Sequence, residues 1–160
     1  MLILNSGGTF NKRYNATQGK LEVPYDNKAI EIIMQSVNGA YNIAGVVYKD
    51  SLEMDSDDRK MLANIIFESK DDTFIIVHGT DTMDITAEFL AEIFDDRKII
   101  LTGAMKPLEI DNIEASLNLG MAIGFASATI NNGVYICMSG LVLPWNQIIK
   151  NKAIGKFELV

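Results

Sequence analysis

Two short polar turns, each closing an apolar run, hold the residues of this chain best suited to chemistry. One is His78-Gly79-Thr80-Asp81-Thr82-Met83, directly after Phe74-Ile75-Ile76-Val77. The other is Ser6-Gly7-Gly8-Thr9, after Met1-Leu2-Ile3-Leu4-Asn5. Asp50-Ser51 and Thr102-Gly103-Ala104 end two further apolar runs in the same manner. Together they supply several hydroxyls, two carboxylates and glycines that let a ligand approach the backbone. Backbone N–H groups at such turns stabilise an anion or an oxyanion. A threonine hydroxyl is a poor nucleophile until a neighbouring base takes its proton. With one histidine in the chain, the candidate bases are a lysine held neutral by its site, a tyrosinate or a carboxylate. Spacing alone leaves the choice of lysine open.

What is missing narrows the chemistry further. A single histidine excludes a multi-histidine metal site, and no Cys/His cluster is present for zinc, so neither a metal nor a cofactor is expected. Gly-x-Gly-x-x-Gly and Gly-x-x-x-x-Gly-Lys-Ser/Thr are absent, which removes the main support for a nucleotide fold. His78 stands at a strand end, where a structural hydrogen bond explains it as well as pairing with a serine would. Cys137 lies in the apolar run Val134–Met138 and reads as a buried core thiol. A net charge of −7 argues against nucleic acid or an anionic membrane as partner, since both need a basic surface. The first apolar run is too short and lacks the basic flank of a signal peptide. No segment approaches the ~18–20 apolar residues of a membrane span. A cytoplasmic protein is the expectation.

The elements that must position these turns alternate along the chain. Strands are expected at Met1–Asn5, Ile43–Lys49, Thr73–Val77, Lys98–Leu101 and Gly133–Met138. Helices are expected at Asn27–Val37, Asp57–Ser69, Met83–Phe94 and Asn112–Ala126. Apolar residues recur three or four apart, as in Met61, Leu62, Ile65, Ile66 and in Ile113, Leu117, Met121. Asp111 and Glu114 read as a capping box opening the last helix. Such alternation predicts an α/β fold with an open, mostly parallel sheet covered by helices on both faces. Strands that are apolar throughout agree, because both of their faces are buried. Ligands of such sheets sit beyond the carboxyl ends of the strands, where the four turns gather. Two segments interrupt the pattern. The polar stretch Thr9–Val23 reads as a functional loop, and Leu141–Val160 as a β-hairpin or edge-strand excursion. Leu141, Val142, Leu143 and Trp145 would either close the core or offer a dimer surface.

The two glycine-threonine turns, in this order and on these strand ends, resemble the bacterial-type L-asparaginase family. Members carry Thr-Gly-Gly-Thr-Ile after the first strand, where this chain has Ser6-Gly7-Gly8-Thr9-Phe10, and His-Gly-Thr-Asp-Thr-Met after the third. Asp50-Ser51-Leu52-Glu53-Met54 is similar to the family's Ser-x-Asp/Asn-Met stretch, and Thr102–Pro107 to its Gly-Ala-Met-Arg/Lys-Pro stretch. The resemblance covers essentially the whole chain and implies a Rossmann- or flavodoxin-like domain over residues 1–160. It also implies hydrolysis of a side-chain amide, asparagine to aspartate and ammonia, through an acyl-enzyme on threonine.

Residue by residue, the resemblance makes Thr9 the nucleophile, and Thr80 and Asp81 the second threonine and its aspartate. It makes Lys150 the relay lysine, with Lys152 as the fallback, and Tyr14 the tyrosine of the N-terminal loop. Gly8, Ser51, Gly79, Thr80, Asp81 and Ala104 would bind substrate, Ser51 through the substrate's α-carboxylate. The implied partners are a small amino-acid amide and further copies of the chain in a homodimer or larger homo-oligomer. Two departures stand out. Leu52 occupies a position that is usually polar, and the family's smaller C-terminal domain is not expected within these residues. Both keep a second expectation alive: a non-catalytic amino-acid-binding module, or a subunit completed by another chain.

Overall fold

A computed structural model describes residues 1–39 and 41–160. In chain order, β1 (Leu2–Gly7) leads through a 3₁₀ turn (Thr9–Asn11) into a hairpin, β2 (Arg13–Asn15) and β3 (Lys20–Glu22). There follow α1 (Lys28–Met34), β4 (Asn42–Lys49), α2 (Ser56–Glu68), β5 (Thr73–Val77), α3 (Met83–Ile93), β6 (Lys98–Thr102) and α4 (Asn112–Ala128). The chain closes with β7 (Gly133–Met138), β8 (Leu141–Pro144) and a second hairpin, β9 (Ile148–Asn151) with β10 (Lys156–Leu159). The main sheet runs β4-β1-β5-β6-β7-β8. Its first five strands are parallel, and β8 is antiparallel on β7. The expected α/β architecture is therefore the observed one. No helix among the described residues is long and apolar enough to cross a membrane.

Period-two alternation divides the central strands between two cores. Leu4, Phe74, Ile76, Ile99 and Leu101 pack against Leu62 and Ile66 of α2 and Ala87 and Leu90 of α3. Ile3, Ile75, Val77 and Ile100 pack against Ile30 and Ile33 of α1 and Leu119 and Ala122 of α4. Strands β1, β5 and β6 are thus buried on both faces, and their hydroxyl-rich turns emerge together at one edge.

Several local readings change. The stretch Thr9–Val23 is not an open loop; Asn15 turns it into a hairpin by accepting the Thr17 and Gln18 N–H groups on its side chain. Helix α1 stops at Met34 rather than Val37, because Ser36 and Val37 form tighter i→i−3 bonds to Ile33 and Met34. Asp111 does cap α4, accepting the Ile113 N–H, but Glu114 completes no capping box. Its carboxylate accepts instead from the N–H groups of Met105 and Lys106, tying down the loop after β6. The reciprocal box belongs to α2, between Asp55 and Asp58. Both forms expected of the C-terminal segment occur, an edge strand and then a hairpin. Leu141, Leu143 and Trp145 pack on one core and Val142 on the other, each remaining half-buried.

Candidate active site

Glycine allows four strand ends to meet backbone to backbone. Gly8 sits at φ 76°, and a β-carbon there would overlap the Gly79 backbone. A β-carbon on Gly79 would lie 2.6 Å from both the Cβ and the Oγ of Ser51. One on Gly103 would overlap the His78 carbonyl. Thr9 and Thr80 each follow one of the touching glycines, which converges the ends of β1 and β5. Hydrogen bonds hold the arrangement. Gly8 N–H donates to Lys49 O (2.8 Å), Ser6 Oγ to Val77 O (2.9 Å), and His78 N–H to Thr102 O (2.8 Å). Asn5 is the hub of the first turn: its Oδ1 accepts from Gly7 N–H and Asn11 Nδ2, and its Nδ2 donates to Asp26 O and Asn27 Oδ1. Phe10, fully buried beside Ile30 and Leu119, anchors the Thr9 turn with about 1.5–3 kcal/mol of apolar burial.

The second half of the site comes from the far end of the chain. Hairpin β9–β10 is pinned to the core by Ile148 and Phe157, and Phe157 pairs in register with Lys150. Lys150 Nζ donates to Thr80 Oγ1 at 2.8 Å and to Asp81 Oδ1 at 2.7 Å. The Lys150 side chain is 12% exposed and that of Asp81 35%, so the pair is buried at the amine and open at the carboxylate. Lys152 lies on the exposed hairpin turn. Ser51 joins the cluster from the end of β4: its Oγ accepts the Asp81 N–H (3.2 Å), and its carbonyl accepts from Thr82 Oγ1 (2.9 Å).

Not every expected residue is brought in. Tyr14 sits on β2 and is 60% exposed. Its N–H donates to Glu109, but its phenol makes no hydrogen bond among the described residues, to Thr9 or elsewhere. Thr9 is half-buried and its hydroxyl is likewise unbonded among the described residues. Ala104 is fully enclosed, with its methyl in the core beside α1 and α4, and presents no accessible surface. Leu52 is 72% exposed, on the wall of a cleft of about 1030 Å³ that also includes Lys12, Tyr25, Tyr48 and Asp50.

The electrostatics separate working groups from structural ones. His78 is fully buried; burial pushes its imidazole down to about 4, against a weaker upward pull from its bond to Gly79. It is therefore neutral at ordinary pH, with Nδ1 at 2.7 Å from Gly79 O and Nε2 at 2.9 Å from Thr86 Oγ1. No serine partners it among the described residues. Cys137 is fully buried, and burial raises its thiol to about 12, the setting of a protonated core thiol. Asp50 carries opposing influences. Burial would raise its carboxyl, but hydrogen bonds from Lys12 and the Leu52 N–H, with the charges of Lys12 and Lys150, hold it below the usual carboxylate range.

Two contributors escape a reading of motifs. Lys12 bridges to Asp50 at 2.6 Å, tying the Thr9 turn to the end of β4; nothing in the spacing signals this contact. Arg59 is buried at 8% exposure beneath the site. Its signal was present, because it stands three and seven residues before Leu62 and Ile66, a charge set in the apolar register of α2.

Comparison with known proteins sets this geometry beside a family. The model for the N-terminal part of asparaginases, "Asparaginase, N-terminal", matches residues 1–156. The glutaminase-asparaginase of Acinetobacter glutaminasificans is 27% identical, the match covering 94% of this chain and 49% of that protein. L-asparaginase 2 of Escherichia coli is 30% identical, over 90% of this chain and 42% of that protein. The thermostable L-asparaginase structure from Thermococcus kodakarensis superposes with a TM-score of 0.85 at 23% identity, over 99% of this chain and 50% of that one. The chain thus spans about half the length of the relatives it matches.

Proposed function

This chain belongs to the asparaginase family, through the N-terminal part of that fold, and from that premise we propose that it is an amidohydrolase acting on the side-chain amide of asparagine or a related small amide. What carries the proposal is Lys150 bonded at once to Thr80 and Asp81, at 2.8 and 2.7 Å, within a site where Thr9 lies one residue from the Gly8–Gly79 contact. In this reading Thr9 Oγ attacks the amide carbon. Its proton passes by way of the site to the departing nitrogen, the C–N bond breaks and ammonia leaves. Water then attacks the threonine ester, giving the carboxylate and restoring the hydroxyl.

In ester hydrolysis Thr80 Oγ1 takes a proton from the attacking water and gives its own to the neutral amine of Lys150, which Asp81 holds; the proton returns through Thr80 to the Thr9 oxygen as the ester C–O bond breaks. Backbone N–H groups at the converging turns stabilise the oxyanion. Ser51, whose Oγ is already aligned on the Asp81 N–H, binds the substrate's carboxylate, with Asp81 facing its ammonium. Incubation with asparagine, glutamine and a panel of amides, with ammonia as the readout, tests the assignment. Release that disappears in Thr9→Ala and Thr80→Ala supports it, and release that survives both refutes it. The exposed, apolar Leu52 beside Ser51 favours one other reading, an amino-acid-binding module. Thermal stabilisation by aspartate or asparagine without turnover would select it.

A further inference from the structure

Arg59 is a buried cation with no carboxylate within ion-pair distance among the described residues. Its guanidinium is instead spread over neutral acceptors. Nη1 donates to the carbonyls of Met54 (3.3 Å) and Asp55 (3.0 Å) at the start of α2. Nε donates to Thr86 Oγ1 (3.0 Å) and Nη2 to Thr82 Oγ1 (3.2 Å). Desolvating a charge is costly unless its hydrogen bonds are met, so the destinations of these bonds matter.

Hydrogen-bond chemistry forces a direction on both branches. The Gly79 carbonyl only accepts, so His78 Nδ1 must carry the proton that bonds it. A neutral imidazole has one N–H, which leaves Nε2 as an acceptor, and Thr86 must donate its hydroxyl proton to it. That hydroxyl is then free to accept from Arg59, which has only donors. Read from either end, the branch runs Arg59 to Thr86 to His78 to the Gly79–Thr80 peptide. The second branch runs Arg59 to Thr82 to the Ser51 carbonyl (2.9 Å), and so to the Ser51–Leu52 peptide.

We propose that Arg59 is a positioning residue: through Thr86 and His78 it orients the turn that presents Thr80, and through Thr82 it orients the turn that presents Ser51. The importance of those turns for amide hydrolysis rests on the function proposed above. Only a planar fork reaches two hydroxyls and two carbonyls at once; a lysine is a point donor and cannot span them.

The single histidine makes the relay directly visible. In ¹⁵N-labelled protein, the imidazole spectrum of the wild type is expected to show the Nδ1–H form with Nε2 unprotonated. Thr86→Val should displace the imidazole and the Thr80 amide resonance but leave that of Leu52. Thr82→Val should displace Leu52 and leave Thr80, and Arg59→Lys should displace both. In the ammonia assay, Thr86→Val should lower kcat about tenfold or more through misplacement of Thr80, and Thr82→Val should chiefly raise KM through Ser51. An Nε2–H imidazole in the wild type would overturn the proposal. So would an Arg59→Lys variant with both amides unmoved, or resonances displaced across the whole domain in both valine variants. If the wild type releases no ammonia, the amidohydrolase reading fails alone, since the spectra still decide whether Arg59 holds the two turns.

Discussion

Acidification should weaken this fold through one identifiable group. His78 is neutral and fully buried, with its pKa lowered from 6.5 to about 4. The unfolded chain therefore binds a proton that the folded chain refuses between those two values. Stability is full above the unfolded pKa and falls as the pH drops toward the folded one. The linkage relation gives a loss of about 2 kcal/mol between pH 7 and pH 5, and about 3 kcal/mol by pH 4. The upper part of that window lies above the range in which ordinary carboxylates titrate. Asp26, Asp50, Asp55 and Asp111 all have lowered pKa values, so their contributions are lost at lower pH still.

Urea unfolding of the wild type and of His78→Asn, measured from pH 7.5 to 4.5, isolates the effect. Asparagine offers a donor and an acceptor of similar reach but does not titrate. The wild type should lose about 2 kcal/mol relative to the variant between pH 7 and 5, whatever the absolute cost of the substitution. Parallel pH profiles for the two proteins, or a native-state imidazole that titrates near 6.5, would refute the account of His78 as a buried, neutral link between Thr86 and Gly79.

Lys150→Met should reduce ammonia release by at least about a thousandfold, whereas the exposed Lys152→Met should leave it within about twofold, on the scale of lost proton-transfer and positioning effects; equal losses would break the assignment. Gly8→Ala should cost about 2 kcal/mol or more, because φ 76° with ψ 179° is nearly closed to other residues and the new methyl meets the Gly79 backbone; urea unfolding reads the loss. Cys137, with its thiol raised to about 12, should resist a thiol reagent at pH 8 in the native protein and react once the chain is unfolded in urea.

The strand–helix order was legible because burial on both faces writes itself as short, continuous apolar runs, and because helix faces repeat every three or four residues. Thr9, Ser51, Thr80 and Asp81 were legible as candidates because each stands in the short polar turn that closes such a run. Glu114 was misread because the spacing of a capping box says nothing about a competing partner. Two backbone N–H groups at Met105 and Lys106, brought near by the loop after β6, attract its carboxylate instead. The hairpin at β2–β3 was missed because it is short and polar, and its stability rests on side-chain capping by Asn15 rather than on any apolar pattern.

Sequence by itself thus determined which side chains stand at the strand ends, since that depends only on local periodicity and turn chemistry. Family resemblance pointed to Lys150, but its bonds to Thr80 and Asp81, 70 and 69 residues away in the chain, exist only because Ile148 and Phe157 dock the last hairpin on the core. The chain from Arg59 to the Thr80 and Ser51 turns is equally non-local. It links residues of α2 and α3 to the ends of β4 and β5, and hydrogen-bond direction is set by which donors and acceptors folding leaves facing one another.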